Sequence, residues 1–277
     1  MSTGLAAADL AVNCPEAART LIRSGVITEH TSGLASGFAQ ANLVVLPRPA
    51  AAEFLRFCVV NRQTCPLIDI TEPGSPVPGY AAPGADLRTD LPRYRVFRDG
   101  QLVDETTDVT EYWRADLVAF LLGCSFTFEW ALTAAGLPLA HQKQQVNVPM
   151  YVTNRACVPM GAFGGPLVVS MRPYRADDAL RAAAVTARFP AMHGQPLHIG
   201  DPTELGIADL DRPDFGDAVT VASDEVPVFW ACGVTPQVVV QQARPDLAIF
   251  HMPGHMFITD LPHTAFELQE RSHVPQR

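Results

Sequence analysis

Val226-Pro227-Val228-Phe229-Trp230-Ala231-Cys232-Gly233-Val234-Thr235-Pro236-Gln237 reads as a strand, a glycine turn and a capped helix. The β-branched and aromatic run suits a buried strand. Thr235 can accept from first-turn amides, and Pro236 fits the first helical position, where no N–H is needed. The helix runs from Pro236 to Ala243, and a strand over Leu247 to Phe250 follows. Working upstream, Leu197 to Ile199 and Ala218 to Ala222 are strand candidates. Asp177 or Asp178 starts an Ala-rich helix ending near Phe189, and Leu167 to Met171 is a short β-branched run bounded by prolines. Helices and buried strands therefore interleave through the C-terminal half, which predicts an α/β or α+β fold with two subdomains.

Towards the N-terminus, Asn13 can cap a helix with Pro15 in its first turn, Glu16 on the positive dipole end and Gly25 just past its end. Ala50 to Arg62 predicts a second helix, with Phe54, Leu55 and Cys58 on one face. From Glu72 to Pro92 proline and glycine dominate, as expected of a long ordered loop or a junction. Tyr94 to Arg98 and Gln101 to Val103 flank Asp99-Gly100, a hairpin signal. A helical stretch is predicted from about Tyr112 to Leu122, breaking at Gly123-Cys124-Ser125 and resuming to a stop at Gly136-Leu137-Pro138. Residues 1–277 are read as a single domain, with room for an inserted subdomain at about 72–150.

The chain has 277 residues, 20 Lys+Arg against 29 Asp+Glu, a net charge of −9 and a hydrophobic fraction of 48%, ample for a core. An acidic chain with scattered arginines lacks the basic stripe that nucleic acid requires. The longest apolar run, Leu117 to Cys124, is less than half of the roughly 20 residues of a spanning helix, so no membrane is expected. The first residues carry no basic block followed by an apolar one, which predicts a cytoplasmic protein. Six dispersed cysteines form no C-x-x-C pair, arguing for reduced thiols rather than a zinc ribbon or a disulfide framework. Lys143 is the sole lysine, so Schiff-base chemistry has one candidate. With no phosphate-binding or dinucleotide-binding glycine motif, no cofactor is expected. Assembly as a homo-oligomer stays open.

Two cysteines stand where chemistry could sit. Cys232, before Gly233 and the helix start at Thr235, and Cys124, before Ser125 as a candidate N-cap, would each have a thiol pKa lowered by the helix dipole; the alternative is a small buried apolar side chain. His251 follows a strand, where ligands gather beyond carboxyl ends, and is placed to be a general acid or base. His255 completes an H-x-x-x-H spacing, but Pro253-Gly254 breaks any helix, so no metal is assigned. Asp201 closes a short strand after His198 with a carboxylate and is a further catalytic candidate. Aspartates in proline and glycine loops usually make turns, and His193 and His198 read as structural or solvated. In the polar stretch Asn147 to Cys157, Asn154 can orient a small ligand and Arg155 can hold a carboxylate bidentately, or else lock the loop in an ion pair.

Taken together, these stretches resemble the D-glutamate cyclase family, also described as hydro-lyases. The resemblance is carried by Gln40-Ala41-Asn42-Leu43, Phe57-Cys58 with Asn61 and Cys65-Pro66, Gly123 to Glu129, Asn147 to Arg155 and Gly164 to Pro173. It continues through His193-Gly194, His198 to Pro202, Pro213 to Asp217, Pro227 to Gln237 and Pro253 to Asp260. It implies an α+β protein of two intertwined subdomains, with a mixed sheet, flanking helices and a smaller hairpin-containing part. It also implies a lyase acting on a small amino or hydroxy carboxylate, closing D-glutamate to 5-oxo-D-proline with loss of water. Such a reaction needs amine deprotonation, departure of oxygen and a stabilised oxyanion. The expectation gives Arg155 the α-carboxylate and amides near Cys232 to Gln237 or Cys124 to Phe126 the reacting carboxyl. His251 or His255 takes the proton transfers, with Cys124 or Cys232 as acid/base thiol or nucleophile. The alternatives are a non-catalytic carboxylate-binding or regulatory protein, or a cofactor-independent isomerase.

Overall fold

The computed structural model describes residues 14–268. Among them the chain forms α1 (Pro15–Arg23), β1 (Phe38–Pro47), α2 (Arg48–Val60), β2 (Leu67–Ile70), β3 (Tyr94–Arg98), β4 (Gln101–Thr106) and β5 (Leu117–Gly123). It continues through α3 (Phe126–Ala134), α4 (Ala140–Gln144), β6 (Met150–Ala156), β7 (Pro166–Arg175), α5 (Ala176–Thr186), β8 (His198–Ile199) and β9 (Glu225–Ala231). The last elements are α6 (Thr235–Ala243), β10 (Ala248–His251) and β11 (Phe257–Pro262). The α+β expectation holds. The expected cap Asn13 lies outside the described residues.

A seven-stranded sheet runs β2-β5-β1-β10-β3-β4, with β11 also on β1, and a four-stranded sheet runs β6-β7-β9-β8. The small sheet is thus drawn from chain lying between β5 and β10 of the large one. Every strand pair is antiparallel, so the mixed sheet expected from sequence is instead two antiparallel sheets. Neighbours in each sheet are joined by a hairpin or by excursions that reverse direction, not by the parallel crossovers a mixed sheet needs.

The stretch from Tyr112 to Leu122, expected to be helical, is strand β5 from Leu117 onward. Seven apolar residues in a row do not reveal a period, and here both faces are covered. Leu117, Ala119 and Leu121 join one core with Leu43, Val45 and the Pro/Gly-rich segment Ala81 to Leu91. Val118, Phe120 and Leu122 join the other, with Val44, Leu46 and helix α2, where Phe54 meets Phe120 edge-on at 5.0 Å. Residues 218–222, also expected as a strand, form no ladder; Val219 is buried beside Tyr151 without a strand partner. The hairpin is as expected, with Asp99 at φ 49° and Gly100 at φ 79°, the positive values that its two-residue turn demands.

Candidate functional site

Three strands deliver their carboxyl ends to one place. β5 ends at Gly123 and hands on Cys124, β9 ends at Ala231 and hands on Cys232, and β10 ends on His251 itself. Cys124, Ser125, Cys232, Gly233 and His251 all line a cavity of about 20 Å³, together with Asn42, His193 and Gly254. That volume is room for about one water. The cavity lies where the large sheet, through β5 and β10, meets the small one, through β9 and the start of β6.

Gly233 permits this closeness, because a Cβ there would stand 2.0 Å from Asn42 Nδ2. The Asn42 amide in turn donates to the carbonyls of Leu122 at 3.3 Å and Gly123 at 2.8 Å, tying the end of β5 to β1. Both thiols sit before a helix as the sequence suggested, and Phe126 N donates to Cys124 Sγ at 3.5 Å. Their acidity runs opposite to expectation. Burial pushes the Cys124 thiol far up, and Cys232 up to about 11, outweighing the backbone N–H groups and the charge of Arg172, which act to lower them. Both are therefore neutral S–H groups near neutral pH. Burial also pulls His251 down to about 4, with the Leu43 carbonyl acting against it and the positive charges of His255 and Arg95 with it.

Two expected caps are corrected. Thr235 is the first helical residue of α6, after Val234; its hydroxyl accepts from Val168 N at 2.9 Å and lies 2.8 Å from the Cys232 carbonyl. A buried hydroxyl next to an open strand amide serves β7 before its own helix. Ser125 does occupy the N-cap position of α3, but with helical angles and no capping hydrogen bond. Its Oγ instead accepts from Arg172 Nη2 at 3.1 Å.

Arg172 was not singled out in the sequence. It is fully buried on β7, its Nε and Nη2 donate to Glu129 Oε1 at 3.2 and 2.5 Å, and Nη1 donates to Ser170 Oγ at 3.2 Å. Its guanidinium stacks over Phe128 and Trp230, 5.5 Å from each ring centre. His141 Nε2 lies 3.1 Å from Glu129 Oε1, and Gln142 Nε2 donates to the other carboxylate oxygen at 3.0 Å. Burial alone would raise the Glu129 pKa; the charges of His141 and Arg172 overcome it and hold the carboxyl at about 2.

The remaining expected residues stand apart from the cavity. His255 is half-buried, its Nδ1 3.1 Å from the Pro253 carbonyl, and lines a larger pocket of about 450 Å³ with Glu29, His30, Arg95 and Asn147. Burial lowers its pKa. Asn147, which lines the larger pocket, lies close against Gly254, which lines the smaller cavity. Asp201 is exposed and accepts from Thr203 N at 2.9 Å and Thr203 Oγ1 at 2.7 Å, capping a short 3-10 turn. Asn154 and Arg155 are exposed on β6, and Lys143 is exposed on α4. All six cysteines are free. Among the described residues no helix is long and apolar enough to cross a membrane.

A family model described as D-glutamate cyclase matches residues 118–260, the segment that contributes both thiols and both histidines of the cavity. A Rubrobacter xylanophilus protein named "Putative hydro-lyase" is 62% identical over 251 residues, covering 91% of this chain and 97% of its own. Proteins with the same designation from Bacillus licheniformis and Bacillus subtilis are 58% and 56% identical over 247 residues. Each covers 89% of this chain, and 94% and 96% of their own lengths respectively. Similarity at this level and over this span places the chain in the D-glutamate cyclase family, as an enzyme of the lyase class.

Proposed function

We propose that the cavity of Cys124, Cys232 and His251 removes water from a small amino or hydroxy carboxylate, and that the substrate is D-glutamate, closed to 5-oxo-D-proline. The observation that carries the reading is the meeting of three strand ends at one enclosed point, each bringing a group able to donate or accept a proton. Amine and carboxyl belong to one molecule, so holding it bent supplies much of the acceleration. The reacting carboxyl enters between the amides of Ser125 and Gly233, with the two S–H groups beside it and His251 against the developing oxyanion. Neutral thiols suit hydrogen bonding better than nucleophilic attack, which needs a thiolate.

A cavity with room for one water does not admit a whole amino acid. In this reading the rest of the substrate occupies the adjoining pocket at His255, and Asn147 moves off Gly254 to join the two spaces. Arg95, on that pocket's wall, is better placed than Arg155 to meet the second carboxylate. The reaction draws on acid/base groups of the chain alone. A panel of Cys124→Ser, Cys232→Ser, His251→Ala and His255→Ala, assayed by mass spectrometry for 5-oxoproline, tests the site. Loss of turnover is expected in the first three at least, and full turnover in all four would sink it. Ligand-induced stabilisation without product would favour a non-catalytic binding protein instead.

A further inference from the structure

Two imidazoles line the cavity, and the reading above uses only one. His193 is 1% exposed and His251 0%, and the Nε2 atom of each is buried without a hydrogen-bond partner. Their Nδ1 atoms are held by main chain in opposite senses. His193 Nδ1 lies 2.8 Å from the Gln63 carbonyl oxygen, which can only accept. That nitrogen therefore carries the proton, and Nε2 keeps a lone pair. At His251 the Leu43 N–H donates to Nδ1 at 3.1 Å, closer than the Leu43 carbonyl at 3.3 Å. Taking the shorter contact as the hydrogen bond puts the lone pair on Nδ1 of His251 and the proton on its Nε2. Leu43 is available because β10 pairs with β1 at Val44 and β11 pairs with it at Ala41, and Leu43 is one of the two residues between these ladders.

The chain goes to some length to bring His193 here. The residue stands at φ 76°, in the left-handed region uncommon for a residue with a Cβ. The loop before it reaches the end of β5 because Gly123 has no side chain; a Cβ there would lie 2.2 Å from the Ala191 carbonyl oxygen. Burial pulls His193 down to about 4, against the Gln63 and Gly123 carbonyls, which favour the charged ring, and with Arg172, which opposes it. Both rings are thus neutral near neutral pH, one presenting an acceptor and the other a donor to the same space.

We propose that His193 is the proton carrier of the reaction, accepting through its bare Nε2 and returning protons to the departing oxygen, while the Nε2–H of His251 donates a hydrogen bond to the oxyanion. The proposal rests on the reading of this cavity as the reaction site and gives its two imidazoles separate roles. In the cyclisation the substrate ammonium has three protons and the product amide nitrogen one. The C–N bond forms, and the C–O bond breaks with its electron pair leaving on oxygen. The two protons lost from nitrogen pass in turn through His193 Nε2 to that oxygen, which departs as water. His193 ends neutral, His251 keeps its proton, and no oxidant or reductant is involved.

The test uses the full chain with 15N-labelled histidine. Long-range 1H–15N spectra at neutral pH are expected to show His193 protonated on Nδ1 and His251 on Nε2, assigned with His193→Asn and His251→Asn. The same tautomer at both, or a charged ring at either, overturns the proposal. His193→Asn suits the position because Asn accepts left-handed backbone and can keep a donor toward Gln63 while removing Nε2. With D-glutamate as the probe, this variant is expected to lower kcat about 100-fold or more, with KM little changed. A folded variant with kcat near that of the unsubstituted enzyme overturns the proton-carrier role. If the unsubstituted enzyme itself yields no 5-oxoproline, the D-glutamate reading fails, and the spectra, which need no turnover, then decide the histidine pair.

Discussion

Arg172 and Glu129 are opposite charges removed from water, held by direct contact and by the rings of Phe128 and Trp230. Breaking such a pair from one side strands the other charge, at a cost of about 3–5 kcal/mol. Arg172→Met is therefore expected to lower the urea midpoint sharply, and adding Glu129→Gln to recover part of the loss; additive effects of the two substitutions would contradict a coupled pair. Gly233→Ala is expected to cost about 1–3 kcal/mol, read as a lowered Tm, because its Cβ would collide with Asn42 Nδ2. Cys232 and His251 are legible as site candidates because each follows a strand-like run, and Cys124 because it stands before a helix start at Ser125. Arg172 is not, since nothing local in Leu167 to Pro173 points to a carboxylate 43 positions away. The thiols' acidity is not legible for a related reason: the helix start is visible in sequence, whereas the burial that outweighs it depends on the assembled cavity.

At the level of elements, α6 is fastened to β7 by one hydroxyl. Thr235 accepts from Val168 N and has the Cys232 and Val168 carbonyls within 2.8 and 3.3 Å. Thr235→Val keeps the shape and leaves the buried Val168 amide without its acceptor, an expected loss of about 1–3 kcal/mol by chemical denaturation. If stability is unchanged, this contact does not fasten the helix. The hairpin, α2, α3, α5, β7, β9 and α6 were legible from turn residues, caps and short β-branched runs. β5 was mistaken for helix because a run covered on both faces shows no alternation between polar and apolar. Strand β1 carries no clear strand signal in the sequence. Gln40 and Asn42 interrupt its apolar pattern, and their reasons for being there are tertiary: Gln40 bonds the Thr31 and Leu34 carbonyls, and Asn42 bonds the end of β5.

For the whole molecule, acid should act in two windows. His193 and His251 sit at about 4 when folded against an ordinary 6.5, so below pH 6.5 the unfolded chain takes up protons that the folded one refuses. Stability is expected to fall as pH drops from about 6.5 to 4, by roughly 3 kcal/mol per ring at most. Glu129, held at about 2 against 4.5, contributes fully above pH 4.5 and loses its contribution as pH falls from there towards 2. Urea titrations across this range check both windows, and a flat profile between pH 6.5 and 4 would show that the two rings are not buried neutral. The placement of β1 has a further consequence, for how the protein is made. This early strand hydrogen-bonds to β5, β10 and β11, whose last partners on it are residues 257–262. A chain leaving the ribosome therefore has its central strand waiting, one edge incompletely paired, until residues 257–262 have been synthesised. Contacts this distant close slowly. The same arrangement means that a fragment trimmed to residues 118–260 would omit the strand on which its own β5, β10 and β11 assemble.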